Sequence, residues 1–168
     1  RERYNVYVLE IVSQFLLCYN NKEDNIRKGR GAFMNRRYSK TIYAGTLAIG
    51  GNAPISVQSM LNAAADDIVG NVAQAIALEQ AGCQMVRVAI PNKNAVALIP
   101  AIKEAVTIPL VAGIHFDYRL ALEAVAAGID KIRINPGNIG SDDRVKAVAE
   151  VCREKNIPIR IGVNSGSV

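Results

Sequence analysis

Three apolar segments of the chain each carry a single central arginine: Met85-Val86-Arg87-Val88-Ala89-Ile90, Lys131-Ile132-Arg133-Ile134 and Pro158-Ile159-Arg160-Ile161-Gly162-Val163. A guanidinium set among aliphatic neighbours carries a desolvation penalty unless an anion answers it. One such residue is as well explained by an internal carboxylate. Three in strand-like segments point to one polyanionic ligand, because guanidinium groups bind phosphate oxygens in bidentate fashion. The second segment opens into Asn135-Pro136-Gly137-Asn138-Ile139-Gly140, where glycines let backbone amides approach a ligand closely. Asn135 and Asn164 follow their arginines at the same kind of junction, and His115, the single histidine, follows Val111-Ala112-Gly113-Ile114. Its place after a strand, two residues before a helix cap at Asp117, selects it for ligand contact. Lys93 and Lys131 read as solvated charges, and Cys83 and Cys152 as core fillers.

The elements that must position these groups recur with a period. Ile55–Val57, Met85–Val88, Leu110–Ala112, Lys131–Ile134 and Ile159–Ile161 read as strands spaced about 21 to 29 residues apart. Alanine-rich helical patterns lie between them over Asn71–Ala81, Ala95–Val106, Arg119–Ala127 and Arg144–Lys155, with Asp66, Asn94, Asp117 and Ser141 as N-caps. Two internal echoes sharpen the period. Ala81-Gly82 and Ala127-Gly128 each stop a helix five residues before an arginine, and Ile108-Pro109-Leu110 parallels Ile157-Pro158-Ile159. Strand-helix-strand repetition gives a parallel sheet covered by helices, either a β/α barrel or an open doubly wound sheet, and the absence of a G-x-G-x-x-G or Walker-type loop favours the barrel. Thr41–Gly45 and Leu47–Gly51 form a hairpin ahead of it, of the kind that closes a barrel's bottom. The polar junctions after the strands all fall on one rim, where such barrels hold their sites.

The 168 residues suffice for one domain, and a 50% hydrophobic fraction builds a core. The formal charge of +5 resides in residues 1–40, with nine Lys/Arg against four Asp/Glu, whereas residues 41–168 hold eleven of each. A neutral body with a basic end does not argue for nucleic acid. Cys18, Cys83 and Cys152 have no ligand spacing, so no metal site is expected from them. No apolar run is long enough for a membrane span, and no signal-type cleavage site follows Val6–Leu17, so a cytoplasmic location is expected. Residues 1–33 differ in character from the rest and read as a poorly ordered extension, with a natural start at Met34 and a partial barrel domain over 34–168.

The wording of several motifs is specific. Val57-Gln58-Ser59-Met60, Val86-Arg87-Val88, Ile114-His115-Phe116-Asp117-Tyr118-Arg119, Arg133-Ile134-Asn135-Pro136-Gly137-Asn138-Ile139-Gly140 and Pro158-Ile159-Arg160-Ile161-Gly162-Val163-Asn164-Ser165-Gly166-Ser167 together resemble the 4-hydroxy-3-methylbut-2-enyl diphosphate synthases. The resemblance runs from about Arg36 onward. It implies a β/α barrel of the TIM type, here ending after about five strands, whose rim holds 2-C-methyl-D-erythritol 2,4-cyclodiphosphate. It also implies reductive conversion of that substrate to hydroxymethylbutenyl diphosphate in isoprenoid biosynthesis, with electrons from flavodoxin or ferredoxin, and a homodimer at full length. A [4Fe-4S] cluster on three Cys and a Glu belongs to a C-terminal domain beyond this chain, so residues 1–168 alone are expected to be inactive. Carried onto this chain, Arg87, Arg133 and Arg160 are diphosphate clamps, His115, Asn135 and Asn164 are polar contacts, and His115 is the catalytic candidate. Two places depart from the pattern. Gly113 stands where the family has an acidic residue, which removes an orienting partner, and Leu61-Asn62-Ala63-Ala64-Ala65 replaces a Thr-rich turn. Competing readings are another β/α-barrel enzyme for a phosphorylated or pterin substrate, and a non-catalytic product that only associates through open sheet edges.

Overall fold

The structure, a computed structural model, describes residues 39–162, of which residues 40–162 fall in one compact unit. The calls on residues 1–33, on Met34 and on Asn164 lie outside the described residues. An antiparallel hairpin, β1 (Ile42–Ala44) and β2 (Leu47–Ile49), pairs Ile42 with Ile49 and Ala44 with Leu47. Five parallel strands follow: β3 (Gln58–Met60), β4 (Met85–Ala89), β5 (Leu110–Gly113), β6 (Lys131–Ile134) and β7 (Ile159–Ile161), in sheet order β3-β4-β5-β6-β7. The crossovers are α1 (Ile68–Gln80), a 3₁₀ turn (Asn94–Ala97) running into α2 (Leu98–Ala105), α3 (Tyr118–Ala126), and a short α4 (Pro136–Ile139) before α5 (Asp142–Glu154).

Register separates two faces of the sheet, since parallel bridge partners point the same way and residues alternate along a strand. Val86 pairs with Leu110, Val88 with Ala112 and Ala112 with Ile132. These residues, with Ile134, are at most 2% exposed and form the face that the helices cover. The other, inner face carries Met60, Arg87, Val111 and Lys131 in one chain of partners, and Gly113, Arg133 and Arg160 in another. At its N-terminal end, Met85 and Val111 form an apolar cluster with Ala44 of the hairpin, flanked by Leu47 and Ile49. The hairpin therefore caps the bottom of the inner face, as its position in the sequence suggested.

Local signals set the junctions. Gly82 and Gly128 have φ of 87° and 86°. In each, the glycine amide bonds back to the helix (Gly82 to Glu79 at 2.9 Å, Gly128 to Val125 at 3.1 Å), and the next amide reaches one residue further back, to Leu78 and Ala124. This paired closure is the reason both echoes place glycine at the same point. Asp117 caps α3 through its side chain, which accepts from the Arg119 amide at 3.0 Å. Three expectations shift. The first barrel strand is Gln58–Met60 rather than Ile55–Val57, because pairing with Met85–Arg87 decides it. The cap of α1 is Asp67 rather than Asp66, its carboxylate accepting from Gly70 at 2.8 Å. Asn94 lies inside the 3₁₀ turn, and Asn92 supplies the capping oxygen, to Ala95, at 3.1 Å.

Candidate functional site

Two of the site arginines, Arg87 and Arg133, reach from their own strand across the next one. Arg87 is bridged to Val111, and its guanidinium lies over Gly113, two residues further along β5: a Cβ at Gly113 would stand 2.9 Å from Nε and 3.1 Å from Nη2. Arg133 repeats the arrangement. It is bridged to Arg160, and a Cβ at Gly162 would stand 3.0 Å from both its Nε and Nη2. The diagonal lean carries both side chains toward the C-terminal ends of the strands, and the glycines let the planar groups lie close against the neighbouring backbone.

Among the described residues no carboxylate pairs with the cations of the inner face. None of the five strands contains an Asp or Glu. Burial opposes the charge of Arg87, and the Arg133 and Arg160 guanidinium groups add to that, so its pKa lies below the ordinary arginine value while the group stays charged at neutral pH. Among the described residues the buried Arg87 Nε has no hydrogen-bond partner. His115 stands in the same field: burial first, then Arg87 and Arg133, hold its pKa below 6.5, so its imidazole is neutral at pH 7. The ring also lies 6.3 Å from that of Phe116, itself exposed.

The structure thus brings Arg87, Arg133, Arg160 and His115 into one electrostatic neighbourhood. Asn135 adjoins it at the end of β6, buried to 6% exposure, where its side chain accepts from the Gly137 amide at 3.1 Å and caps α4. Asp117 is occupied at the surface by the Arg119 guanidinium at 3.0 Å, which leaves it a cap. Lys93 is exposed and 3.5 Å from Glu123, as a solvated charge should be. Lys131 is not solvated: it is 6% exposed, a correction to the sequence reading. Its burial follows from its place two residues before Arg133 on one strand face, a period-two relation the sequence displays but its lysine identity obscured.

Cys83 and Cys152 are buried free thiols, and the Cys83 thiol donates to the Met85 carbonyl at 3.1 Å. Among the described residues no group of three His, Cys, Asp or Glu could hold a metal ion, so this part of the chain does not fit an iron–sulfur cluster. No helix among them is long and apolar enough to cross a membrane.

Comparison with known proteins places this geometry. Residues 39–168 match the GcpE TIM-barrel domain family. The 4-hydroxy-3-methylbut-2-en-1-yl diphosphate synthase (flavodoxin) of Histophilus somni is 54% identical over 135 residues, covering 80% of this chain. The enzymes of the same name from Actinobacillus pleuropneumoniae and Pseudomonas aeruginosa are 52% identical over 135 residues and 54% over 133, covering 80% and 79% of this chain. The chain spans 36–37% of the length of these relatives. With its motifs, its parallel α/β sheet and its residues 39–168 all in agreement, the chain belongs to the GcpE TIM-barrel domain family.

Proposed function

We propose that this chain is the substrate-binding barrel portion of an oxidoreductase that converts 2-C-methyl-D-erythritol 2,4-cyclodiphosphate to 4-hydroxy-3-methylbut-2-enyl diphosphate. The observation that carries the reading is an inner sheet face with several cations and no strand carboxylate. Such a face is built for a polyanion, because the partly buried Arg87 and Arg133 guanidinium groups regain lost solvation from a bound anion, while Arg160 stands exposed beside them. Arg87, Arg133 and Arg160 hold the diphosphate, and Asn135 and Asn164 add polar contacts at the strand ends. His115, neutral at pH 7, donates a hydrogen bond to the ligand from the rim rather than adding charge.

The similarity of the chain to enzymes named for flavodoxin supports flavodoxin as the electron donor, with ferredoxin the alternative. A [4Fe-4S] cluster supplies the electrons when bound, on ligands outside the described residues. The domain division at Met34, the cytoplasmic location and the homodimer at full length belong to the same reading.

The test is an anaerobic assay with a chemical reductant and the cyclic diphosphate. The full-length protein with its cluster reconstituted is expected to form hydroxymethylbutenyl diphosphate, and residues 1–168 alone are expected to form none. Turnover by residues 1–168 without any other polypeptide, or none by the reconstituted full-length protein, overturns the reading.

A further inference from the structure

We propose that Lys131 is a fourth anion-binding group of this site, reaching the bound polyanion from beneath the arginines; this rests on the reading of the inner face as a polyanion site. Lys131 is 6% exposed, yet no hydrogen bond or ion pair within the described residues answers its ammonium. Its sequence neighbour Asp130 cannot do so. That carboxylate accepts from the Leu110 amide at 2.9 Å and from Lys103 Nζ at 2.7 Å, at the N-terminal end of the sheet.

Placement aims the group at the site. Lys131 shares the inner face of β6 with Arg133 and is bridged to Val111, whose other bridge partner is Arg87. Val111 also belongs to the apolar cluster that the hairpin closes. Lys131 therefore stands at the level where the apolar floor gives way to the cationic layer. Two residues along a strand span roughly 6.6 Å, about the reach of an extended lysine stem, so the ammonium can attain the level of Arg133 while the stem stays against the floor. It is also near enough to Arg160 for the two charges to oppose each other. A buried lysine facing another cation without a counter-charge weakens the fold, and a residue of this kind is explained when a ligand supplies that counter-charge.

Inorganic pyrophosphate is the probe, titrated calorimetrically into the full chain, with melting followed by circular dichroism. Lys131→Met keeps the stem and removes the charge. Without ligand it is expected to melt higher than the unsubstituted chain, and to bind pyrophosphate ten- to a hundredfold more weakly. Lys131→Gln, which tolerates residual water, should show the same loss of affinity, and Lys131→Arg should recover most of it. Unchanged pyrophosphate affinity in Lys131→Met and Lys131→Gln, alongside a clear loss in Arg133→Ala, overturns the role of Lys131 and leaves the polyanion reading standing. Absence of binding by the unsubstituted chain overturns both.

Discussion

The Arg87 guanidinium occupies the space that a side chain at Gly113 would fill, with Nε 2.9 Å from where a Cβ would stand. That Nε is buried and lacks an acceptor. Gly113 and the unpaired nitrogen are thus one feature: glycine offers Arg87 no acceptor there, and among the described residues the arginine is left to a ligand.

Substitutions at Gly113 should consequently divide by chemistry. Gly113→Asp places an acceptor beside Nε, and the flexible guanidinium can shift the few tenths of an ångström required. In full-length protein this variant is expected to melt higher and to raise kcat more than it changes KM, through a fixed Arg87. Gly113→Val pushes the guanidinium aside without offering an acceptor, and should weaken substrate binding at least tenfold. Equal effects of the two variants in steady-state kinetics would contradict the pairing.

His115 gives a direct report on the field, being the chain's single histidine. Burial, Arg87 and Arg133 hold its folded pKa below the unfolded value near 6.5. Above about pH 7.5 both states keep it neutral. As pH falls below that, the unfolded state takes up the proton first, so stability declines until the folded pKa is passed. The His115→Gln variant should show a flatter stability profile between about pH 7 and pH 5. The proton resonances of the ring should titrate below the unfolded midpoint, and bound pyrophosphate should raise that midpoint by offsetting the arginine charges. An unmoved midpoint would place the anion elsewhere.

At the opposite end of the sheet, Asp130 joins the Leu110 amide to Lys103. Asp130→Ala leaves a part-buried N–H without its acceptor and should lower unfolding free energy by about 1–3 kcal/mol in urea titrations. Ligand affinity of the folded chain should be unaltered, because this carboxylate does not face the site. A loss of affinity with no loss of stability would contradict that separation.

Much of this was legible because it is local or periodic. Gly82 and Gly128 marked their helix stops through a conformation that other residues rarely adopt, and the central arginines announced themselves by standing among aliphatic neighbours. What escaped depended on partners distant in sequence. The apolar run Ile55–Val57 looked like a strand, but the register with β4 selects Gln58–Met60. The cap expected at Asp66 belongs to Asp67, a choice between neighbouring carboxylates that only the Gly70 amide makes. Lys131 was misread because lysine is rarely buried without a partner. Its neighbour at the next inner-face position, Arg133, was the signal that it belonged to the same site. Seats for guanidinium groups at Gly113 and Gly162 lie across strand boundaries and required the diagonal geometry to be seen.

The central claim is that the inner-face cations bind a diphosphate, and Arg133 is the residue to remove. Calorimetric titration of full-length protein with 2-C-methyl-D-erythritol 2,4-cyclodiphosphate should show Arg133→Ala binding about ten- to a hundredfold more weakly than the unsubstituted protein, the loss of one charge-assisted contact worth roughly 1.5–3 kcal/mol. Unchanged affinity in a folded Arg133→Ala protein would contradict the account.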